Sequence, residues 1–169
     1  MLDKIVFRAL LAGLLVAPAA GAFAWVDDVE GGIALFHEGK YAAAEARLRE
    51  AVGTEAQAYL AGSLAKLKKY AEAEPPALAA LKESPTHAVA VAALGESLVG
   101  QKKYDEAIDK LSAALGKKDD LAYAYFWRGQ AYDKKNQAAR MVADYQAFIK
   151  LAPKAPEAPV VQAVLASLR

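Results

Sequence analysis

The sequence contains no cysteine, and only two histidines, two methionines and two tryptophans among 169 residues. The missing cysteine excludes disulfides, thiolate metal sites, a cysteine nucleophile and a lipid-modified N-terminal cysteine. His37 and His87 lie far apart in the chain, and neither has a second histidine or a paired carboxylate motif nearby, so no metal site is expected. A dominant charge sign is also lacking. Twenty-one Lys and Arg stand against 20 Asp and Glu, for a formal net charge of +1, whereas nucleic-acid binders carry a clear basic excess. Gly31-Gly32 has neither the lysine nor the preceding strand of a phosphate-cradling loop. The acid pairs Asp27-Asp28 and Asp119-Asp120 fall where helices are predicted to start, which suits capping and the helix dipole rather than catalysis. No acid, base and nucleophile are brought together. The sequence therefore implies no enzyme and no cofactor.

Helix formers dominate what is present. Hydrophobic residues make up 56% of the chain, with many alanines and few β-branched runs. Alanine loses no side-chain entropy on entering a helix. The composition points to an all-α protein whose helices meet through small side chains, long enough for one domain with its own core.

Residues 1–24, MLDKIVFRALLAGLLVAPAAGAFA, have the layout of a signal peptide. Lys4 and Arg8 form the positive flank, and residues 9–16 are an uncharged apolar core. Pro18 and Gly21 are expected to break a helix. Ala22-Phe23-Ala24 then offers the small side chains that a signal peptidase pocket admits. Cleavage is expected after Ala24, leaving Trp25 first. The alternative is an uncleaved anchor, although the apolar stretch is short for a span of about 20 residues. The segment holds two of the basic residues and one of the acidic ones, so the remainder is balanced in charge.

Beyond it the chain reads as helical hairpins. Val29, Ile33, Leu35 and Phe36 mark a first helix, and Gly39 suits a turn needing positive φ. Tyr41, Ala44, Leu48 and Ala51 mark a second. Thr54, Thr86 and one of Asp119 or Asp120 are predicted N-caps. Pro75 and Pro76 fall within a second-helix pattern. Each lacks an N–H and crowds the preceding turn, which predicts a late start near Glu74 or a bend. Residues 121–134 are aromatic-rich, with Tyr123, Tyr125, Phe126, Trp127 and Tyr132. Pro153 ends the next helix. Pro156 and Pro159 suit the first turn of a last one, whose apolar face is Val160, Val161, Val164, Leu165 and Leu168.

These hairpins share a period. Lys68-Lys69-Tyr70 recurs 34 residues on as Lys102-Lys103-Tyr104, Gly95 recurs as Gly129, and Leu98 as Tyr132. The third unit is the clearest, with Gly95, Leu98, Tyr104, Ala107, Leu111 and Ala114. The first has Gly32, Leu35, Tyr41, Ala44, Leu48 and Ala51. The second has Ala61, Leu64, Tyr70, Ala73, Ala77 and Ala80. The fourth keeps Gly129, Tyr132, Tyr145 and Pro153 but carries Ala138, Met141 and Phe148 elsewhere. Small residues let two helices approach closely, and large ones fill the space alongside. A helix-turn-helix period of about 34 is that of the tetratricopeptide repeat (TPR), and on these residues the chain resembles that family. The resemblance implies a right-handed α-solenoid of four TPR-like hairpins over residues 25–153, closed by a C-terminal capping helix over 154–169. Tyr41 and Tyr70 are only 29 residues apart, so the first junction is short.

In such proteins the first helices of the repeats line a concave groove that receives a peptide or a partner helix. Carried over by position, Val29, Ile33, Phe36 and His37 line it from the first unit. The second supplies Ala58, Gly62, Ala65 and Lys66, and the third Ala92, Glu96 and Val99. The fourth supplies Phe126, Gln130, Asp133 and Lys134. Val29 and Phe126 serve equally well as packing residues. The family's carboxylate clamp places Lys and Asn where this chain has Val29 and Ile33, which disfavours an acidic C-terminal peptide. A groove apolar at one end and polar at the other suits an extended or helical segment. The lysine doublets at 68–69, 102–103 and 134–135 read as solvated turn residues or, lined up, as a weakly basic edge. The expectation is an exported, periplasmic, non-catalytic TPR-type adaptor or scaffold whose partner is another protein or peptide. The alternative is an assembly subunit of an envelope complex, anchored in the inner membrane by an uncleaved signal segment and facing the periplasm.

Overall fold

The computed structural model describes residues 20–168, with side chains from residue 28 onward. The signal-peptide reading rests mainly on residues outside this range. The described residues form nine helices and no strand: α1 (Ala20–His37), α2 (Tyr41–Leu48), α3 (Thr54–Lys66), α4 (Tyr70–Glu83), α5 (Ala88–Gly100), α6 (Tyr104–Leu115), α7 (Ala122–Lys134), α8 (Ala138–Leu151) and α9 (Ala158–Ser167). Gly21 lies inside α1, so the break expected there does not occur. Among the described residues no helix is long and apolar enough to cross a membrane.

Four helix pairs are closed by one recurring turn. Gly39, Lys68, Lys102 and Asn136 have φ of 75°, 61°, 62° and 56°. After each, a backbone N–H reaches back five residues: Lys40 to the Leu35 carbonyl (2.9 Å), Lys69 to Leu64 (2.9 Å), Lys103 to Leu98 (2.8 Å) and Gln137 to Tyr132 (2.9 Å). This left-handed cap satisfies carbonyls that the helix end would leave open. The expected positive φ at Gly39 is met, and two lysines and an asparagine adopt it as well.

The caps at the other ends differ from the sequence reading. Gly53, with φ 107°, precedes α3, and Thr54 is already its first residue. His87 caps α5 in place of Thr86, its Nδ1 accepting the Ala90 N–H at 3.4 Å. Leu121 precedes α7, so Asp119 and Asp120 do not cap it; Asp120 pairs with Lys118 at 3.4 Å instead. The prolines also behave unexpectedly. Helix α4 begins at Tyr70 and runs through both Pro75 and Pro76, so there is no late start. Four residues precede Glu74 in the helix, enough to form its first turn, and Pro76 and Ala77 are buried on the packed side.

The first helices of successive pairs, α1, α3, α5 and α7, stack side by side, and each also packs against its own second helix. Glycine permits the closest crossings. A Cβ on Gly32 would lie 2.5 Å from Leu48 Cγ, one on Gly95 2.8 Å from Trp127 Cβ, and one on Gly129 2.7 Å from Tyr145 Cδ1. The recurring small position therefore marks real backbone approach. Helix α9 packs on α8. Of its predicted apolar face, Val161 is buried and Val164 and Leu165 half-buried, but Val160 and Leu168 are exposed.

The lysine doublets are divided between two tasks. Lys68 and Lys102 hold the left-handed turn. Lys69 reaches back to Glu45 at 2.8 Å, and Lys103 to Glu74 at 2.8 Å. These bonds tie each hairpin to the one before it, and Lys69 is the main reason that the Glu45 carboxyl is held below the usual carboxylate range. At the fourth turn Lys135 pairs with Asp105 and Lys134 with Asp133. Lys68 and Lys102 are exposed turn residues, one of the two readings of the doublets, and the other four lysines pair with carboxylates rather than forming a basic edge.

Candidate functional site

The stacked first helices leave a cavity of about 490 Å³ on their open side. Its lining spans the whole solenoid. Phe36 and Tyr41 come from the first hairpin, Gly62 and Lys66 from the second, Ala92 and Glu96 from the third, and Tyr123 and Trp127 from the fourth. Pro156 and Glu157, from the segment before α9, close its far side. The repeat geometry sets these positions. Ile33, Gly62, Glu96 and Gln130 are equivalent in the four first helices, and so are His37, Lys66, Gly100 and Lys134.

Size and charge vary along this surface. Gly62 lets neighbouring side chains close over the backbone, since a Cβ there would lie 2.9 Å from Phe36 Cε2 and 3.2 Å from Val89 Cγ1. The Phe36 ring meets Tyr41 edge-on at 5.4 Å and Tyr59 at 5.1 Å. Lys66 Nζ donates to Glu96 Oε2 at 2.8 Å, bridging the second and third hairpins. Tyr123 Oη donates to Glu157 Oε2 at 2.8 Å. Burial pushes the Tyr123 phenol well above its ordinary pKa, and the Glu157 acceptor and the Glu96 charge add to this. Tyr41 and Tyr123 line the same cavity, so the first and fourth hairpins both contribute a phenol to it.

Of the residues carried over by position, Phe36, Gly62, Lys66, Ala92 and Glu96 line this cavity. Val29 and Val99 are half-buried and pack on the main core. Ala58 and Ala65 are fully or almost fully buried. Phe126 is 6% exposed, with its ring 5.0 Å from Phe148 and 6.4 Å from Tyr145. Ile33 and Gln130 are half-buried and do not line the cavity. His37 is exposed, with its Nε2 3.3 Å from the Tyr59 hydroxyl. Asp133 and Lys134 form an exposed pair at 3.5 Å.

Tyr41, Tyr123, Trp127 and Glu157 were not singled out for the groove by the sequence. Trp127 follows Phe126 by one residue, a rotation of about 100° around a helix. Repeat position names Phe126 for the groove, but Phe126 is buried and Trp127 lines the cavity. Glu157 lies outside the repeats and has no periodic signal.

Among the described residues, no three His, Cys, Asp or Glu side chains come together as a metal site. No family model and no curated protein sequence matches the chain. Solved structures do match. TTC0263, a thermophilic TPR protein of Thermus thermophilus, superposes with a TM-score of 0.70 at 19% identity, over 85% of this chain and 80% of that one. YrrB, described as a TPR protein with an unusual peptide-binding site, gives 0.65 at 18% identity, over 82% and 74%. MamA of Desulfovibrio magneticus RS-1, from residue 41 to its end, gives 0.62 at 24% identity, over 78% and 77%. With its recurring turns and stacked first helices, the chain has the all-α solenoid fold of the tetratricopeptide-repeat proteins.

Proposed function

We propose that this chain is an exported, non-catalytic interaction module that holds a peptide or helix of a partner protein in the groove of its first helices. The observation that carries this reading is the cavity itself. Four hairpins and the C-terminal segment converge on one concave, largely apolar space with a few placed polar groups, the usual character of a binding site. The peptide-binding description of YrrB, a protein of like fold, supports the same class of partner. Export to the periplasm rests on residues 1–24 alone.

Ala92 tests the groove. It is half-buried on the cavity wall, so Ala92→Phe fills the space from the open side. If the groove holds the partner, a protein that co-purifies from the envelope is lost with Ala92→Phe while helical content and melting are retained. Full retention of that partner overturns the assignment. The anchored alternative has one observation in its favour: α1 crosses the Ala24–Trp25 bond without a break. Mass spectrometry of the isolated protein decides between the two. A chain beginning at Trp25 supports export with cleavage, and one retaining residues 1–24 supports the anchor.

A further inference from the structure

The charges of the groove do not cancel. Lys66 and Glu96 neutralise each other at 2.8 Å. The remaining charged group on the lining is Glu157, and among the described residues no cationic side chain lies within 4.0 Å of its carboxylate. Its hydrogen-bond donor is the phenol of Tyr123, a neutral group at neutral pH, so the bond orients the carboxylate without compensating it. Glu157 precedes α9, yet its side chain makes no capping bond to that helix. The carboxylate is turned toward the groove instead.

The walls around it are aromatic. Phe36, Tyr41, Tyr123 and Trp127 line the same cavity. Aromatic faces carry negative electrostatic potential and attract cations, most strongly where water is displaced. An anionic guest would meet Glu157 and would have to take Lys66 from Glu96. A wholly apolar guest would cover Glu157 without pairing it, and an unpaired buried charge is costly. A cation satisfies both the carboxylate and the rings. We infer that the cavity receives a cationic side chain, arginine or lysine, from the partner segment, with Glu157 as counter-charge and the aromatic rings as walls. This rests on the groove reading above and names the chemistry of its guest.

The chain's two tryptophans supply a direct test. In a Trp25→Phe background, Trp127 is the only reporter. The probes are short acetylated, amidated alanine peptides with one central arginine, lysine, citrulline or glutamate. The arginine or the lysine peptide is expected to change Trp127 emission saturably in about the millimolar range. Citrulline, which keeps arginine's shape without its charge, and glutamate are expected to bind at least about 10-fold more weakly. The response should also weaken as salt is raised. Glu157→Gln keeps an acceptor for Tyr123 and removes the charge, and about a 10-fold loss of affinity for the cationic peptide is expected with unchanged melting. Equal binding of citrulline, or no effect of Glu157→Gln, overturns the cationic guest and leaves the groove reading standing. No response to either cationic peptide overturns the inference too, while the Ala92→Phe capture experiment still decides the groove itself.

Discussion

In the first three hairpins, the second helix presents Ala44, Ala73 and Ala107 at one and the same repeat position, and all three are fully buried. In the fourth that position holds Met141, followed by Tyr145 and Phe148 where the second hairpin has Ala77 and Ala80. Aromatic neighbours accompany the change: Tyr123, Phe126 and Phe148 meet at ring distances of 5.0 to 6.1 Å. The polar ties change as well. Glu45 and Glu74 take lysines from the following turn, and those lysines are about two-fifths exposed. The fourth hairpin has Arg128 inside it, bonded through two nitrogens to Asp144 at 2.8 and 2.7 Å and to Ser112 at 2.9 Å. Arg128 also lies over the Tyr125 and Tyr132 rings, at 5.6 and 5.9 Å from their centroids. One helical geometry is thus filled in two ways. Alanine brings backbones together, and ion pairs then tie neighbouring hairpins at the surface. Large rings hold the last hairpin together around an ion pair whose carboxylate is buried, before the chain continues into α9.

The sharpest way to break this contrast is to remove the buried carboxylate. Asp144 is only 4% exposed, so Asp144→Ala strands the Arg128 guanidinium among aromatic rings. A loss of about 3–5 kcal/mol is expected in denaturant unfolding. Glu45→Ala is the matching change in the first hairpin. Its partners Lys69 and Arg49 are 42% and 52% exposed and rehydrate when released, so a loss of about 1 kcal/mol or less is expected. Similar losses for the two variants would remove the distinction between the two regions.

Pro75→Ala probes the alanine-rich side. Pro75 is exposed and lies inside α4, where proline costs a helix about 3 kcal/mol relative to alanine. No packing is lost on replacing it, so a gain of about 1–3 kcal/mol is expected from thermal or denaturant unfolding. The same change at Pro76 discards buried contact and should gain less. A loss of stability with Pro75→Ala would show that the proline stiffens this hairpin more than it strains it.

Much of the fold was legible because the repeat is a statement about backbone spacing. Gly95 and Gly129 mark close approaches, and Tyr70 and Tyr104 each open a second helix. The caps were not legible, since Thr54 and Thr86 have the right chemistry but do not occupy the cap positions, which fall to Gly53 and His87. The site was only partly legible. Periodicity places Lys66 and Glu96 on the groove, but it names Phe126 from the fourth unit where Trp127 lines the cavity, and it is silent on Glu157 because the closing segment belongs to no repeat. Arg128 and Asp144 are charged residues on helices, a pattern that reads as solvated surface until their separate helices are packed together.

The recurring turn offers the smallest effect and the finest comparison. All four turns need one residue in the left-handed region. A Cβ costs roughly 1–2 kcal/mol there, glycine avoids that cost, and asparagine is helped by local hydrogen bonding. Lys102 is exposed and at φ 62°, and it forms none of the ion pairs among the described residues. Lys102→Gly therefore relieves strain without removing a contact. Glycine's greater freedom in the unfolded chain offsets about 0.5–1 kcal/mol of that relief. A net gain of up to about 1 kcal/mol is expected. Asn136→Gly should change stability by only a few tenths of that amount, because asparagine already tolerates the conformation. Equal gains at the two positions would mean that the lysine carries no special strain, and that the turns of the alanine-rich and aromatic hairpins are energetically alike.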